Sequence, residues 1–224
     1  MRKLWAVKET DPVISVMRIL AKGPHIVAVL SSDGRQLKGI LSQGQIFQQI
    51  SKQWIEFKRD VSVQTLRRLG FIKFPVKQIS FQTTAHEAFG LMAKYQLSGL
   101  AVVNEEGKLV HNTSATDIKL WLKASESLEA TIEDFLIAVR KDSHSSKEQF
   151  PVSSVDEKAG LAKMIAKLRV TKYHRMWIVD DDHKPSGVFA ITDLFAFITD
   201  QTNLSMKKII TFLDTKVLFI VLFI

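Results

Sequence analysis

A chain of 224 residues, 46% apolar and 24% charged, can bury one large core or two small ones and has the composition of an ordinary globular protein. It contains no cysteine, which excludes disulfides, thiolate metal sites and cysteine nucleophiles and fits a reducing cytosolic or nuclear compartment. The net charge of +8 is scattered over residues such as Lys52, Lys58, Arg59, Arg67 and Arg68, so a solvated basic surface or an anionic ligand is expected before nucleic acid.

No signal peptide is visible, because charged and apolar residues alternate at the N-terminus. Leu4–Val7 reads as a short strand. Asp11 as N-cap and Pro12 as first helical residue predict a helix through Val16, Ile19 and Leu20, stopped by Gly23 and Pro24. Ile26–Leu30 is a strand, Ser32-Asp33-Gly34 a turn and Leu37–Leu41 the returning strand. Ser42-Gln43-Gly44-Gln45 forms a polar corner before a helix at Ile46–Ile50. A basic connector carrying Trp54 and Phe57 follows, with a helix predicted over Val63–Leu69.

From Pro75 the pattern returns. Val76–Ser80 is a strand, and Thr84 and Glu87 have capping-box spacing before a helix carrying Ala88, Phe89, Leu91 and Met92. Leu100–Val103, the turn at Asn104–Gly107 and Lys108–Asn112 make a hairpin leading to the corner Ser114-Ala115-Thr116-Asp117 and a helix at Ile118–Leu122. Thr131–Arg140 reads as another helix and Lys141–Gln149 as a polar loop. The pattern returns again from Pro151: Ser154 and Glu157 repeat the capping-box spacing, Leu161, Met164, Ile165 and Leu168 mark a helix, and Arg175–Val179, Asp180–Lys184 and Ser186–Ala190 form a hairpin. Thr192-Asp193 then stands at a corner before a helix at Leu194–Ile198.

Gln45, Asp117 and Asp193 lie 72 and 76 residues apart, and the strand-entry residues His25, Ser98 and His174 precede them by 20, 19 and 19 residues. Near-constant spacing of strand, helix, strand, strand, helix is an internal repeat. The expected fold is α/β: α+β repeats, each a short mixed sheet with two helices, packing in pairs because one unit cannot bury both faces of its sheet. The expected division is 1–60 (first repeat), 61–74 (connector), 75–125 (second repeat), 126–150 (connector helix and polar loop), 151–204 (third repeat) and 205–224 (apolar tail). Val217–Ile224 is uninterruptedly apolar, but eight residues fall short of the about 20 that span a bilayer, so a buried terminal strand or an artefact of the gene model is expected there.

These repeats resemble CBS domains, named after cystathionine β-synthase. The family's corner motif Ser/Thr-x-x-Asp stands complete at Ser114-x-x-Asp117. SGLAVVNEEGKL…SATD and YHRMWIVDDDHKPSGVFAITD are most similar to the gamma, adenine-nucleotide-sensing subunit of AMP-activated protein kinase and its plant and fungal relatives, in which a His-Arg pair such as His174-Arg175 precedes the strand. The resemblance implies a non-enzymatic regulatory protein that binds AMP, ADP or ATP between the second and third repeats, with Asp117 and His174-Arg175 as the two halves of the site and no catalytic cofactor. Its implied partners are protein kinase catalytic and scaffold subunits or another CBS chain, in the cytoplasm or nucleus. It also implies four repeats, of which the first here looks like the second, so that this repeat would dimerise, pack onto the other two or belong to a longer chain.

By the same resemblance Thr83, Ala88, Leu97 and Ser98 line a base and ribose slot, while from the residues alone Thr83 reads as a turn and Ala88 and Leu97 as core. Asp117 and Asp193 have the acceptors for two ribose hydroxyls, but either is equally suited to capping a helix. Ser114 suits a phosphate or ribose oxygen, or the same cap. Thr192 joins Asp193 at the third corner. His174 and Arg175 suit phosphate, with a carboxylate such as Asp180 as the plain alternative. Gln45, Ala190 and His111 depart from the family pattern, which leaves a ligand-free adaptor as the second reading. Enzyme motifs are absent: no G-x-x-x-x-G-K-[ST], H-E-x-x-H or G-x-S-x-G occurs, and Asp180-Asp181-Asp182 reads as an acidic turn before a cation site.

Overall fold

Within each repeat the middle strand decides the layering. In β2 (Ile26–Leu30), Val27 and Val29 are fully buried while Ile26 is exposed, the period of two expected when one face of a sheet is covered by helices. A computed structural model describes residues 5–57, 63–72, 75–124, 127–141 and 152–200. They contain three three-stranded sheets of the same topology, β1-β2-β3, β4-β5-β6 and β7-β8-β9, each with its middle strand second in sequence. The first strand of each runs parallel to the middle one, and in the first two repeats the third is antiparallel with a register shift near its far end. The chain divides into two compact bodies, Met1–Thr65 with Gly160–Arg175 and Phe189–Ile224, and Leu66–Ala159 with Met176–Val188.

The first body holds β1 (Ala6–Lys8), α1 (Val13–Leu20), β2, β3 (Leu37–Ser42) and α2 (Gln43–Phe57), together with α6 (Leu161–Thr171) and α7 (Ile191–Thr199) of the third repeat. Helix α1 packs against α7, and α2 against α6 and α7. The first repeat therefore packs its helices onto those of the third, one of the arrangements expected for it. Val13, Ile14, Val16, Met17 and Leu20 of α1 are buried, as are Ile191, Leu194, Phe195 and Ile198 of α7, the i, i+3, i+4, i+7 stripes that bury a helix face. The start of α1 departs from expectation. Pro12 is the N-cap residue, and Asp11 Oδ2 instead accepts the Lys8 N–H at 2.8 Å, because Asp11 is needed to turn the chain out of β1.

The second body holds β4 (Gln78–Ser80), α3 (Ala85–Lys94), β5 (Gly99–Val103), β6 (Leu109–Ser114), α4 (Asp117–Ala124) and α5 (Ile132–Lys141), together with β7 (Ser154–Asp156) and most of β8 (Arg175–Val179) and β9 (Pro185–Ala190). On one face of β5, Leu100 and Val102 enter a core with Ala85, Ala88, Met92, Ile132, Phe135 and Val139. On the other, Ala101 packs with Leu109, Trp177 and Val179. The second and third repeats thus share a sheet-to-sheet core, the pairing expected of units that cannot cover both faces alone. The acidic run 180–182 is a turn: Asp180 Oδ1 accepts from Asp182 N at 3.0 Å and Lys184 N at 2.8 Å.

Two helix signals fail for one reason, backbone already committed elsewhere. Ser154 and Glu157 do not cap a helix. Ser154–Asp156 pairs with β8 as a strand, and α6 starts only after Gly160. Val63–Leu69 is not helical, because Thr65 bridges Gly160, Gln64 O accepts from Leu161 N at 3.1 Å and Leu66 N donates to Ala159 O at 3.0 Å. The side chains of Trp54 and Phe57, the loop beyond Lys141 and the tail 205–224 lie outside the described residues.

Candidate functional site

The corners at which each third strand feeds a helix carry two bonds repeated three times. The carbonyls of His25, Ser98 and His174 accept from the N–H groups of Gln43, Ala115 and Ile191 at 2.9, 3.2 and 3.0 Å. The side chains of Gln45, Asp117 and Asp193 accept from the N–H groups of Ser42, Ser114 and Ala190 at 2.9, 2.7 and 2.8 Å. The first bond fixes the strand-entry residue against the corner, and the second satisfies an N–H that the following helix leaves without a carbonyl. Gln45 makes the bond as well as an aspartate does, because it needs an acceptor oxygen and not a charge. The regular spacing of these positions in the sequence is the trace of this geometry.

At the second corner the carboxylate is heavily used. Asp117 is buried, and beyond Ser114 N its Oδ2 accepts from Thr113 Oγ1 and Ser114 Oγ, both at 3.3 Å. Arg140 Nη2 from α5 reaches Oδ2 at 3.2 Å and donates to Asn112 O at 2.8 Å. This ion pair is nearly dry, with side-chain exposures of 15% and 8%, so each charge depends on the other. Ser98 and Ser114 flank the corner, Gly99 pairing with Ser114. His111, which stands where Gly39 stands in the first repeat, sets its Nε2 3.5 Å from Glu133 Oε1. Ala88 is fully buried in the core, Leu97 packs half-buried against that core, and Thr83 O accepts from Ile132 N at 2.7 Å to set the start of α5.

The first body gathers the cationic candidates. The rings of His25 and His174 meet edge to face, centroids 6.0 Å apart and planes at 63°. Arg175 follows at once, and the bond from Ile191 N to His174 O brings Thr192 and Asp193 to the same corner. His174 is partly open to solvent, yet loss of solvent, then the His25 ring, then the Arg175 charge hold its pKa below the ordinary histidine range. An anion placed there would reverse that balance by favouring the charged imidazole. The candidates thus fall into two groups: Thr83, Ala88, Leu97, Ser98, Ser114 and Asp117 in one body, and His174, Arg175, Thr192 and Asp193 in the other.

Two residues of these corners carry no sequence motif. Gln43, 2% exposed, donates from Nε2 to Pro24 O at 3.0 Å and Leu20 O at 3.3 Å, holding the segment that presents His25. Arg140 is the other. The one hint for Gln43 is its place within the first corner.

Against known proteins, the profile of the CBS domain matches residues 71–124 and 148–200. Protein SDS23 of Saccharomyces cerevisiae is 31% identical over 203 residues, covering 82% of this chain and 38% of that protein. Protein SDS23 of Candida glabrata is 30% identical over 201 residues, covering 82% and 36%. The chain spans less than two fifths of the length of these relatives. Among solved structures, an uncharacterized conserved protein from Pyrococcus horikoshii superposes with TM-score 0.64 at 16% identity, over 88% of this chain and 79% of that one. Protein MJ1225 from Methanocaldococcus jannaschii, proposed as an archaeal homolog of g-AMPK, gives 0.63 at 15% over 88% and 67%. At such identities the likeness is one of fold. No described helix is long and apolar enough to cross a membrane.

Proposed function

Because this chain belongs to the CBS-domain family, we propose that it is a non-catalytic regulatory protein that binds an adenine nucleotide and passes the occupancy of that site to a protein partner. The observation that carries this reading is the meeting of His25 and His174 beside Arg175, two imidazoles and a guanidinium at equivalent strand entries. Such a group supplies a permanent charge with forked donors and two further donors that strengthen on protonation, which is what a phosphate chain needs. Asp193, at the same corner, is the ribose acceptor of this reading. Asp117 serves the fold first, through Arg140. The ligand acts on a partner only through its different affinity for two arrangements of the protein. The finer proposal for that partner is a protein kinase catalytic or scaffold subunit in the cytoplasm or nucleus. Its test is a kinase assay with the reconstituted subunits, in which AMP and ATP should change the rate oppositely.

The test of the site itself is a thermal shift. AMP, ADP or ATP at about a hundred times its dissociation constant should stabilise the chain by about 2.7 kcal/mol. Adenosine, which has no phosphate for His174 and Arg175, should stabilise it less. No shift with any of the three nucleotides contradicts the reading.

The second reading is an adaptor that binds protein without ligand. It is favoured by Gln45, which keeps its corner bond without a carboxylate, and by the internal use of Asp117. It predicts partner binding of the same affinity with and without nucleotide.

A further inference from the structure

Tyr95, the residue that closes α3, is 45% exposed. Two ammonium groups lie against its ring: Lys77 Nζ is 4.5 Å from the ring centroid and Lys94 Nζ 5.5 Å. Lys94 belongs to the last turn of α3, and Lys77 is the residue before β4, so two elements of the second repeat bring their charges to one aromatic side chain. Neither lysine forms an ion pair among the described residues.

The backbone beneath this cluster is fixed. Tyr95 N donates to Leu91 O at 3.0 Å and Leu97 N to Met92 O at 2.8 Å, closing the helix with Gln96 in the left-handed region at φ 52°. Lys77 O accepts from Ala101 N at 3.4 Å, which ties the other lysine to the middle strand β5. The ring's quadrupole attracts a cation on its face, so Tyr95 gathers two flexible side chains that would otherwise disperse in solvent. The ring does not cancel their charge. Two like charges held at one ring repel each other, and an anionic group from outside removes that repulsion. Because the ammonium groups are already gathered, such a group has less side-chain freedom to overcome.

The surroundings select the kind of anion. The neighbouring exposed residues Gln78, Ala93, Gln96 and Ser98 carry no charge, so the positive charge is confined to one spot. A nucleic acid draws its affinity from a row of phosphate contacts, which this spot does not offer. An exposed tyrosine on a rigid element is instead the kind of anchor that protein interfaces use.

We infer that Lys77, Tyr95 and Lys94 form a docking point for an acidic segment of a protein partner, with carboxylates of the segment on the two ammonium groups and an aliphatic stem against the phenol ring. The docking point needs no nucleotide, so its test stands apart from that of the proposed nucleotide site. The test is fluorescence anisotropy of a labelled poly-glutamate peptide titrated with the full chain at about 0.15 M salt. The expected result is binding that Lys77→Ser with Lys94→Ser weakens by about fivefold or more. Tyr95→Leu, which keeps both charges but removes the ring that gathers them, should weaken it as well. Lys22→Ser with Lys38→Ser removes the same charge from exposed positions of the first repeat and should leave the affinity unchanged. All three variants alter exposed side chains and should keep the parent's circular dichroism spectrum. No binding of the peptide, equal weakening by the two double substitutions, or an oligothymidylate that binds more tightly than the peptide through the same residues overturns the proposal.

Discussion

The Asp117 carboxylate accepts from Ser114 N, Thr113 Oγ1 and Ser114 Oγ and faces Arg140, so its removal strands a buried guanidinium as well as the corner. Asp117→Ala should therefore cost about 3 kcal/mol, measured by urea unfolding. Gln45→Ala, at a corner without a charge partner in the same role, should cost about 1 kcal/mol. At His174 the lowered pKa gives a sign. The stability linked to it is present above the unfolded histidine value of about 6.5 and is lost as pH falls through the folded value. Phosphate favours the protonated ring, so nucleotide affinity should rise between about pH 8 and pH 6. Calorimetry in buffers of different ionisation enthalpy should register proton uptake on binding. The spacing of His25, Ser98 and His174 against Gln45, Asp117 and Asp193 was legible because each pair is joined within one corner. Gln43 and Arg140 were not, since their partners are backbone carbonyls and a carboxylate distant in the chain.

At the level of elements, identical signals had different outcomes. Thr84 and Glu87 form a capping box, Thr84 Oγ1 accepting from Glu87 N at 3.1 Å, and Thr84→Ala should cost about 1 kcal/mol in thermal unfolding. Ser154 and Glu157 share that spacing, yet pairing with β8 takes Ser154 into a strand, where a ladder of backbone bonds outweighs one cap. Spacing alone does not separate the two, because the deciding partner lies about twenty residues on, in β8. The hairpin turns give a further case. Gly34 and Gly107 stand at φ +76°, and His183 takes the same role at φ 65°, where a side chain is strained. His183→Gly should stabilise the chain by up to about 1 kcal/mol, read from its urea midpoint.

Across the whole chain, the repeat and its sheet topology follow from periods of two along strands and from corner spacing, both of which a sequence carries openly. Which faces meet does not follow so directly. The cores that cover β5 and β8 join Ala101 and Leu109 to Trp177 and Val179, contacts made by residues about seventy apart in the chain, and the packing of α1 and α2 on α7 and α6 reaches further still. The first repeat has Gln45 where the other two have an aspartate yet keeps both corner bonds, so the fold of the corner does not require a carboxylate. The central claim is the proposed nucleotide binding, and isothermal titration of AMP into the full chain and into Arg175→Ala tests it most directly. The account predicts micromolar binding that the substitution weakens by about tenfold or more, as loss of a charge-assisted contact to phosphate requires. Equal affinity for both proteins, or no heat with either, would contradict it.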